Sequence, residues 1–321
     1  MIRRRADGIR AALAGNIVRY NVNRHIEPTN ICRFVCTFCS FARHTLNEDG
    51  AFRHSVEDIL KRTAQDGDRG ITEYHLVGGV DLALGLDYYT ALIAALRKAH
   101  PKVTIKALSA VEIGDLARRS RMTYREVLSA FKDAGANAIT GGGAEIFAPR
   151  VRKLICTTKI NGDEWIEIHR AAHAVGLASN ATILFGHFET MEERIDHILA
   201  IRDLQDETRR QDSGSSGFGA FIPLPFVPYV GTKMEYIPAP STEDYLRMIA
   251  LSRIALDNFG TIKAYWPAAG IDAATKALLH GANDIDGTVT EETIYQTGEN
   301  TLTRAQIEER IRSVGRQPLE R

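Results

Sequence analysis

Three of the four cysteines in this chain sit in the stretch NICRFVCTFCSF (30–41), at Cys32, Cys36 and Cys39, a C-x3-C-x2-C spacing with Phe38 just before the last. Thiolates select zinc, copper(I) or iron–sulfur clusters. A structural zinc asks for four protein ligands in a closed tetrahedron, and His25 and His44 are the nearest candidates for the fourth. A four-iron cluster held by three cysteines leaves one iron open for an outside ligand. The ligand count therefore favours the open cluster, with zinc as the alternative. Cys156 stands apart from the group and reads as a small buried hydrophobe.

Other residues that could do chemistry follow short β-like runs. Glu112 in SAVEI (109–113) and Glu145 in GGGAEI (141–146) each stand beside small residues, Ser109 and Gly141 to Gly143, which favours a ligand-facing role such as holding a ribose hydroxyl. Three adjacent glycines without a following G-K-[ST] are a weak phosphate signal. Close approach of backbone to a ligand is the better reading. His75 lies inside a β run next to Gly78 and Gly79 of GGVD, and His187 stands just past the ILF run. His169 and His173 have the i, i+4 spacing of a metal pair, but in WIEIHRAAHAVG they read as helix packing. Arg152 and Lys159 read as solvated charges.

The elements that must position these residues alternate. Apolar or β-branched runs occur at 22–27, 72–78, 103–109, 136–140, 178–185, 218–224, 260–266 and 282–286, and a helical pattern follows each of the first seven. That order predicts parallel βα units, α/β in class, and eight runs point to a (β/α)8 TIM-type barrel, with a doubly wound sheet as runner-up. The whole chain, 1–321, reads as one domain with an N-terminal helix over about 1–20 and a helical segment over about 300–321. TRRQDSGSSG (208–217) reads as a flexible loop. In a barrel of this kind chemistry collects at the C-terminal strand ends. The cysteine loop, GGVD, SAVEI, GGGAEI, GHFET and IPLPF occupy six successive ends.

Composition narrows the partners. Forty basic residues balance forty acidic ones, so there is no global attraction to nucleic acid or to an anionic membrane. No apolar run approaches the length of a membrane span, and MIRRRADGIRAALAG lacks the apolar core of a signal peptide. The expected location is the cytoplasm, where clustered cysteines more readily hold metal than form disulfides.

The cysteine spacing with its preceding aromatic resembles the signature of radical S-adenosylmethionine (SAM) enzymes. The resemblance implies a full or partial barrel and a 4Fe-4S cluster on Cys32, Cys36 and Cys39, whose open iron takes the amino and carboxylate groups of SAM. It implies that Phe38 packs near the adenine and that Gly78 and Gly79 meet the SAM amino group. Ser109, Glu112 and Glu145 are then further cofactor contacts, His75 and His187 the catalytic candidates, and a flavodoxin- or ferredoxin-type protein the electron donor. Over most of the chain, segments such as NRHIEPTNICRFVCTFCSF, YHLVGGVD, NATILFGHFET and GANDIDGTVTEE resemble the aminofutalosine synthase branch of menaquinone biosynthesis, the futalosine pathway. IKAYW and DIDGTV favour that branch over two sisters, cyclic dehypoxanthine futalosine synthase and the tyrosine-processing half of FO synthase. The chain departs from the pattern at YQTGEN (295–300) and VPYVGT. The implied reaction is addition of a 5′-deoxyadenosyl radical to 3-[(1-carboxyvinyl)oxy]benzoate, giving 6-amino-6-deoxyfutalosine with loss of the carboxylate carbon.

Overall fold

The computed structural model describes residues 1–210, 216–295 and 301–321. Among the described residues eleven strands run β1 Ile17–Tyr20, β2 Val22–Ile26, β3 Glu73–Leu76, β4 Thr104–Ala107, β5 Ala138–Ile139, β6 Ala178–Phe185, β7 Phe218–Pro225, β8 Lys263–Ala264, β9 Asp284–Ile285, β10 Thr288–Thr290 and β11 Gln317–Glu320. All the strand pairings are parallel. One sheet has the order β10-β2-β3-β4-β5-β6-β7 and the other β11-β1-β9-β8.

The two sheets join into a barrel. β1 passes into β2 across Asn21, and β9 passes into β10 across Asp286 and Gly287, so the same two chain segments pair above and below the break. The crossing is tight: a Cβ on Gly287 would fall 1.5 Å from the Asn21 carbonyl oxygen, which only glycine allows. On the far side, a bridge between Phe221 and Ile262 links β7 to β8, and the Phe221 N–H donates to the Thr261 carbonyl at 3.1 Å.

Helices cover the outside because their local sequences start and stop them there. Ser55 with Asp58, Ser109 with Glu112, and Thr123 with Glu126 form reciprocal capping boxes at three N-termini. Gly135, at φ 110°, ends the helix Tyr124–Ala134 in a left-handed turn. Their apolar faces meet the sheet in one core that includes Phe131, Trp165, Phe185, Phe221 and Phe259, all fully buried. Each such side chain contributes roughly 1.5–3 kcal/mol by leaving water.

The expectations at both chain ends need correction. The N-terminal helix stops at Ala14, where Gly15 at φ 57° breaks it and Ile17 to Tyr20 become a strand. At the other end Arg304–Ser313 is helical, but Gln317–Glu320 pairs with β1 as a parallel strand. SAVEI, which follows the third β run as expected, opens a helix there: Ser109 caps a buried helix that begins at Ala110. Within the loop expected at 208–217, residues 208–210 are still helical while 211–215 lie outside the described residues, as do 296–300 of YQTGEN. Among the described residues no helix is long and apolar enough to cross a membrane.

Candidate functional site

The cysteine loop follows β2 and is held by its backbone. Cys32 N–H donates to the Arg43 carbonyl at 2.7 Å, and Arg43 N–H donates back to Asn30 at 2.8 Å. The Arg43 guanidinium then donates to the carbonyls of Ser40, Phe41, Ala42 and Asp49, which gathers the loop around one cation. Thr37 N–H reaches the Ile155 carbonyl at 2.9 Å and ties the loop to the neighbouring helix. All three cysteines are half-buried, carry free thiols and line one cavity at the C-terminal end of the barrel.

The residues fit an iron–sulfur cluster better than a single ion. Burial pushes the Cys36 thiol up to about 12, so it ionises at neutral pH only against an electropositive centre. Three thiolates leave a tetrahedral structural zinc one protein ligand short. A cluster offers each thiolate its own iron. Neither candidate fourth zinc ligand completes the set: His44 donates through Nδ1 to the Cys32 carbonyl, 3.0 Å away, and His25 belongs to the barrel interior.

GGVD abuts the start of that loop. A Cβ on Gly79 would stand 2.2 Å from the Ile31 carbonyl oxygen, and Gly79 N–H donates to Thr29 at 2.8 Å. Asp81 is clamped by the Arg53 guanidinium at 2.6 and 2.9 Å and accepts from Thr29. Glu112 supports the same turn from the next helix. One of its oxygens accepts from Gly78 N–H at 3.0 Å and the other from the Ser109 N–H and hydroxyl at 2.7 and 2.6 Å. Burial raises the Glu112 carboxyl to about 7 against the pull of these donors. Glu112 and Ser109 line the cavity, yet their polar atoms already serve the cap and the glycine turn.

Glu145 meets the cavity from the loop after β5. It holds φ 46°, a left-handed conformation costing about 1 kcal/mol for a non-glycine residue. Its carbonyl accepts from Leu184 N–H at 2.8 Å and its carboxylate pairs with Lys159 at 2.6 Å, which together offset that cost. Lys159 Nζ also lies 5.5 Å from the centroid of the Phe38 ring. Reading Lys159 and Arg152 as solvated charges is overturned. Lys159 lines the cavity, and Arg152 is buried, donating to the carbonyls of Ala144, Ile146 and Ile160.

The floor was only partly read from sequence. His75 is there, its ring stacked on His25 at 4.8 Å between centroids. Burial holds both neutral, His75 down at about 3 and His25 at about 4. Around them stand Asn23, Glu73, Asn180, Thr182, Lys263 and Asp286, none of them singled out from the sequence. Glu73 pairs with Lys106 at 2.8 Å, and Lys263 pairs with Asp286 at 2.7 Å. A signal existed. Strands of an all-parallel barrel usually read as unbroken apolar runs, but Asn23, His25 and Glu27 place polar groups at every second position, as do Glu73 with His75 and Asn180 with Thr182. Tyr265, Glu292 and Tyr295 close the side formed by the late segment.

His187 does not join this group. Phe188 N–H donates to its Nδ1 at 2.7 Å, its Nε2 reaches the Leu184 carbonyl at 3.2 Å, and its side chain is fully covered beside Glu189. It folds back onto its own turn. His169 packs its ring on Trp165, and His173 bridges Thr208 and Ser179 at 2.9 and 2.7 Å, so both serve packing. Cys156 is buried.

Comparison with known proteins agrees with this geometry. Residues 26–201 match the radical SAM superfamily and residues 215–321 the CofH/MqnC C-terminal region. An aminodeoxyfutalosine synthase of Thermus thermophilus is 41% identical over 303 residues, covering 92% of this chain and 79% of that protein. A 5-amino-6-(D-ribitylamino)uracil–L-tyrosine 4-hydroxyphenyl transferase of Methanosarcina acetivorans is 36% identical over 327 residues, covering 98% and 82%. Among solved structures, methylornithine synthase (PylB) superposes with a TM-score of 0.73 at 20% identity, over 99% of this chain and 88% of that one, which bears on the fold alone. With its three cysteines at the mouth of a parallel barrel and both family regions in place, the chain belongs to the radical SAM superfamily, in the branch that carries the CofH/MqnC C-terminal region.

Proposed function

We propose that the chain is an aminodeoxyfutalosine synthase, joining the 5′-deoxyadenosyl group to 3-[(1-carboxyvinyl)oxy]benzoate with loss of the carboxylate carbon to give 6-amino-6-deoxyfutalosine. The observation that carries the reading is the 41% identity to the Thermus thermophilus synthase over 92% of the chain. The late segment supports it, since Lys263, Tyr265 and Asp286 of IKAYW and DIDGTV stand on the cavity wall.

Cys32, Cys36 and Cys39 would hold a 4Fe-4S cluster, which together with SAM supplies the 5′-deoxyadenosyl radical. The protein's own residues position and enclose. Gly78 and Gly79, with the Gly78 amide fixed by Glu112, present backbone next to the cysteine loop. Phe38 and the Lys159–Glu145 pair flank the thiols. Ile222, Leu224, Tyr265 and Tyr295 offer an apolar wall suited to an aromatic ring, and a wall of this kind keeps water from a reactive carbon. His75 remains the candidate for hydrogen bonding to the reacting substrate, because it faces the cavity and is neutral.

A second reading, a hydrogen-abstracting enzyme such as cyclic dehypoxanthine futalosine synthase or a tyrosine-processing transferase, draws on the 36% identity to the Methanosarcina acetivorans protein. Nucleoside analysis separates the two. Anaerobic protein with a reconstituted cluster is given dithionite, SAM and 3-[(1-carboxyvinyl)oxy]benzoate, and the products are weighed by mass spectrometry. An adenosyl–substrate adduct lacking one carboxylate, absent in Cys36→Ala, is expected. Free 5′-deoxyadenosine without an adduct would discard the synthase in favour of the second reading.

A further inference from the structure

We propose that His25, Glu27 and Glu292 form a divalent-cation site on the cavity wall, with an ion there holding a carboxylate of the substrate. One ring nitrogen of His25 and one carboxylate oxygen from each glutamate lie within 4.8 Å of one another. That convergence suits a single small ion, and among the described residues no other such group of three exists. All three side chains belong to buried residues, exposed by only 4, 4 and 3%.

The strand geometry builds the site. His25 and Glu27 are two residues apart along β2 and its end, so both point to the same face. Glu292 follows β10, the strand hydrogen-bonded to β2, and so arrives alongside. Thr293 fixes Glu27 by donating its N–H at 3.1 Å and its hydroxyl to the carboxylate, and Tyr295 N–H donates to Glu292 at 2.7 Å. A carboxylate has about four lone-pair sites, so the two bonds from Thr293 leave Glu27 room for a metal.

A second observation points to a ligand. The Nδ1 of His25 is buried and has no hydrogen-bond partner, although a buried polar nitrogen normally finds one. Glu27 has no lysine or arginine within ion-pair distance among the described residues. A divalent ion would supply Glu27 with the positive charge that no lysine or arginine among the described residues supplies at ion-pair distance. The oxygen-rich donor set suits magnesium, manganese or ferrous iron rather than a thiophilic metal.

Three protein ligands leave positions open on a six-coordinate ion, and His25 and Glu292 both border the cavity. The substrate part of the proposal rests on the synthase reading. That substrate brings two carboxylates, while the cavity lysines Lys159 and Lys263 are already paired with Glu145 and Asp286. An ion held by the acidic wall supplies the missing positive charge.

The test uses cluster-loaded protein, treated anaerobically with EDTA and desalted, then titrated with manganese(II) chloride while free Mn(II) is followed by room-temperature EPR. One Mn(II) per chain is expected, with pulsed EPR of the wild type showing a coupled imidazole nitrogen. Binding should weaken at least tenfold in Glu27→Gln and in Glu292→Gln, with iron content and circular dichroism as in the wild type. Should either variant lose its fold, the nitrogen coupling in the wild type still decides. No stoichiometric binding, no imidazole coupling, or equal affinity in both folded variants would overturn the site. Adding 3-[(1-carboxyvinyl)oxy]benzoate should change the bound Mn(II) spectrum. An unchanged spectrum from protein that still makes the adenosyl adduct would overturn the ion's role while leaving the synthase reading intact.

Discussion

Lys159 Nζ stands 2.6 Å from a carboxylate oxygen of Glu145, and both side chains are almost wholly covered. Burial works against each charge, and each charge rescues the other. Burial raises the Glu145 carboxyl, but Lys159 outweighs it and holds the group below the usual carboxylate range. Burial lowers the Lys159 ammonium, but Cys36 and Glu145 keep it well above its ordinary value. The pair thus lines the cavity beside the Phe38 ring as a fixed unit.

Removing one partner should cost more than removing both. Lys159→Met leaves a buried carboxylate without its cation, and the expected loss of stability is about 3–5 kcal/mol. Adding Glu145→Gln removes the uncompensated charge, so the double variant should be more stable than Lys159→Met alone. Denaturant unfolding of the four proteins completes the cycle. Losses that simply add would show that the two side chains are not coupled.

Gly79→Ala tests the contact between the glycine turn and the cysteine loop. The new methyl would sit 2.2 Å from the Ile31 carbonyl oxygen and 2.7 Å from its carbon, and backbone cannot step aside as a flexible side chain can. The loop carrying Cys32 must shift. Iron bound per chain after reconstitution should fall by more than half, with helix content by circular dichroism unchanged. Full iron loading in the variant would mean that the turn does not brace the loop.

Much of this site could be read from the chain because its parts are local. The cysteine spacing, GGVD and GGGAEI each fall within a few residues, and each lies where a strand ends. The barrel follows from the alternation of β and helical patterns, although the terminal patterns predict helix where β1 and β11 lie. Each is a four-residue strand, too short for its pattern to outweigh a helical neighbour. What escaped was assembled from a distance. Lys159 and Arg152 look like ordinary surface charges until folding brings carbonyls and Glu145 around them. His187 stands just past a β run, where chemistry is expected, but the turn that follows folds its ring inward.

His173 gives a pH signature outside the cavity. Burial holds its ring at about 4, whereas an unfolded histidine titrates near 6.5. Between these values the unfolded chain binds the extra proton, so folding stability falls as pH drops from 6.5 toward 4 and is fully present above 6.5. From pH 7 to pH 5 this one ring should cost about 2 kcal/mol. His173→Gln, which can still meet Ser179 and Thr208, should flatten the wild-type slope by that amount in denaturant titrations at the two pH values. An identical slope in the variant would show that His173 carries a proton in the folded protein.

The last prediction separates the two histidines that the sequence placed together at the reaction. His75 borders the cavity, and its neutral ring is stacked on His25. His75→Phe keeps a flat ring for the stack but removes both nitrogens. If the ring hydrogen-bonds to the reacting substrate, adduct formation should fall about a hundredfold or more, while SAM is still cleaved to free 5′-deoxyadenosine. His187 has its nitrogens committed to the Phe188 N–H and the Leu184 carbonyl. His187→Gln should then lower the turnover rate by a factor of about 3 at most, under 1 kcal/mol of barrier, with its main effect on thermal stability. The measurement is a parallel count of adduct and 5′-deoxyadenosine in the two variants. A severe loss of adduct in His187→Gln with normal product formation in His75→Phe would reverse the assignment, and would mean that the GHFET turn opens toward the cavity when the enzyme is loaded.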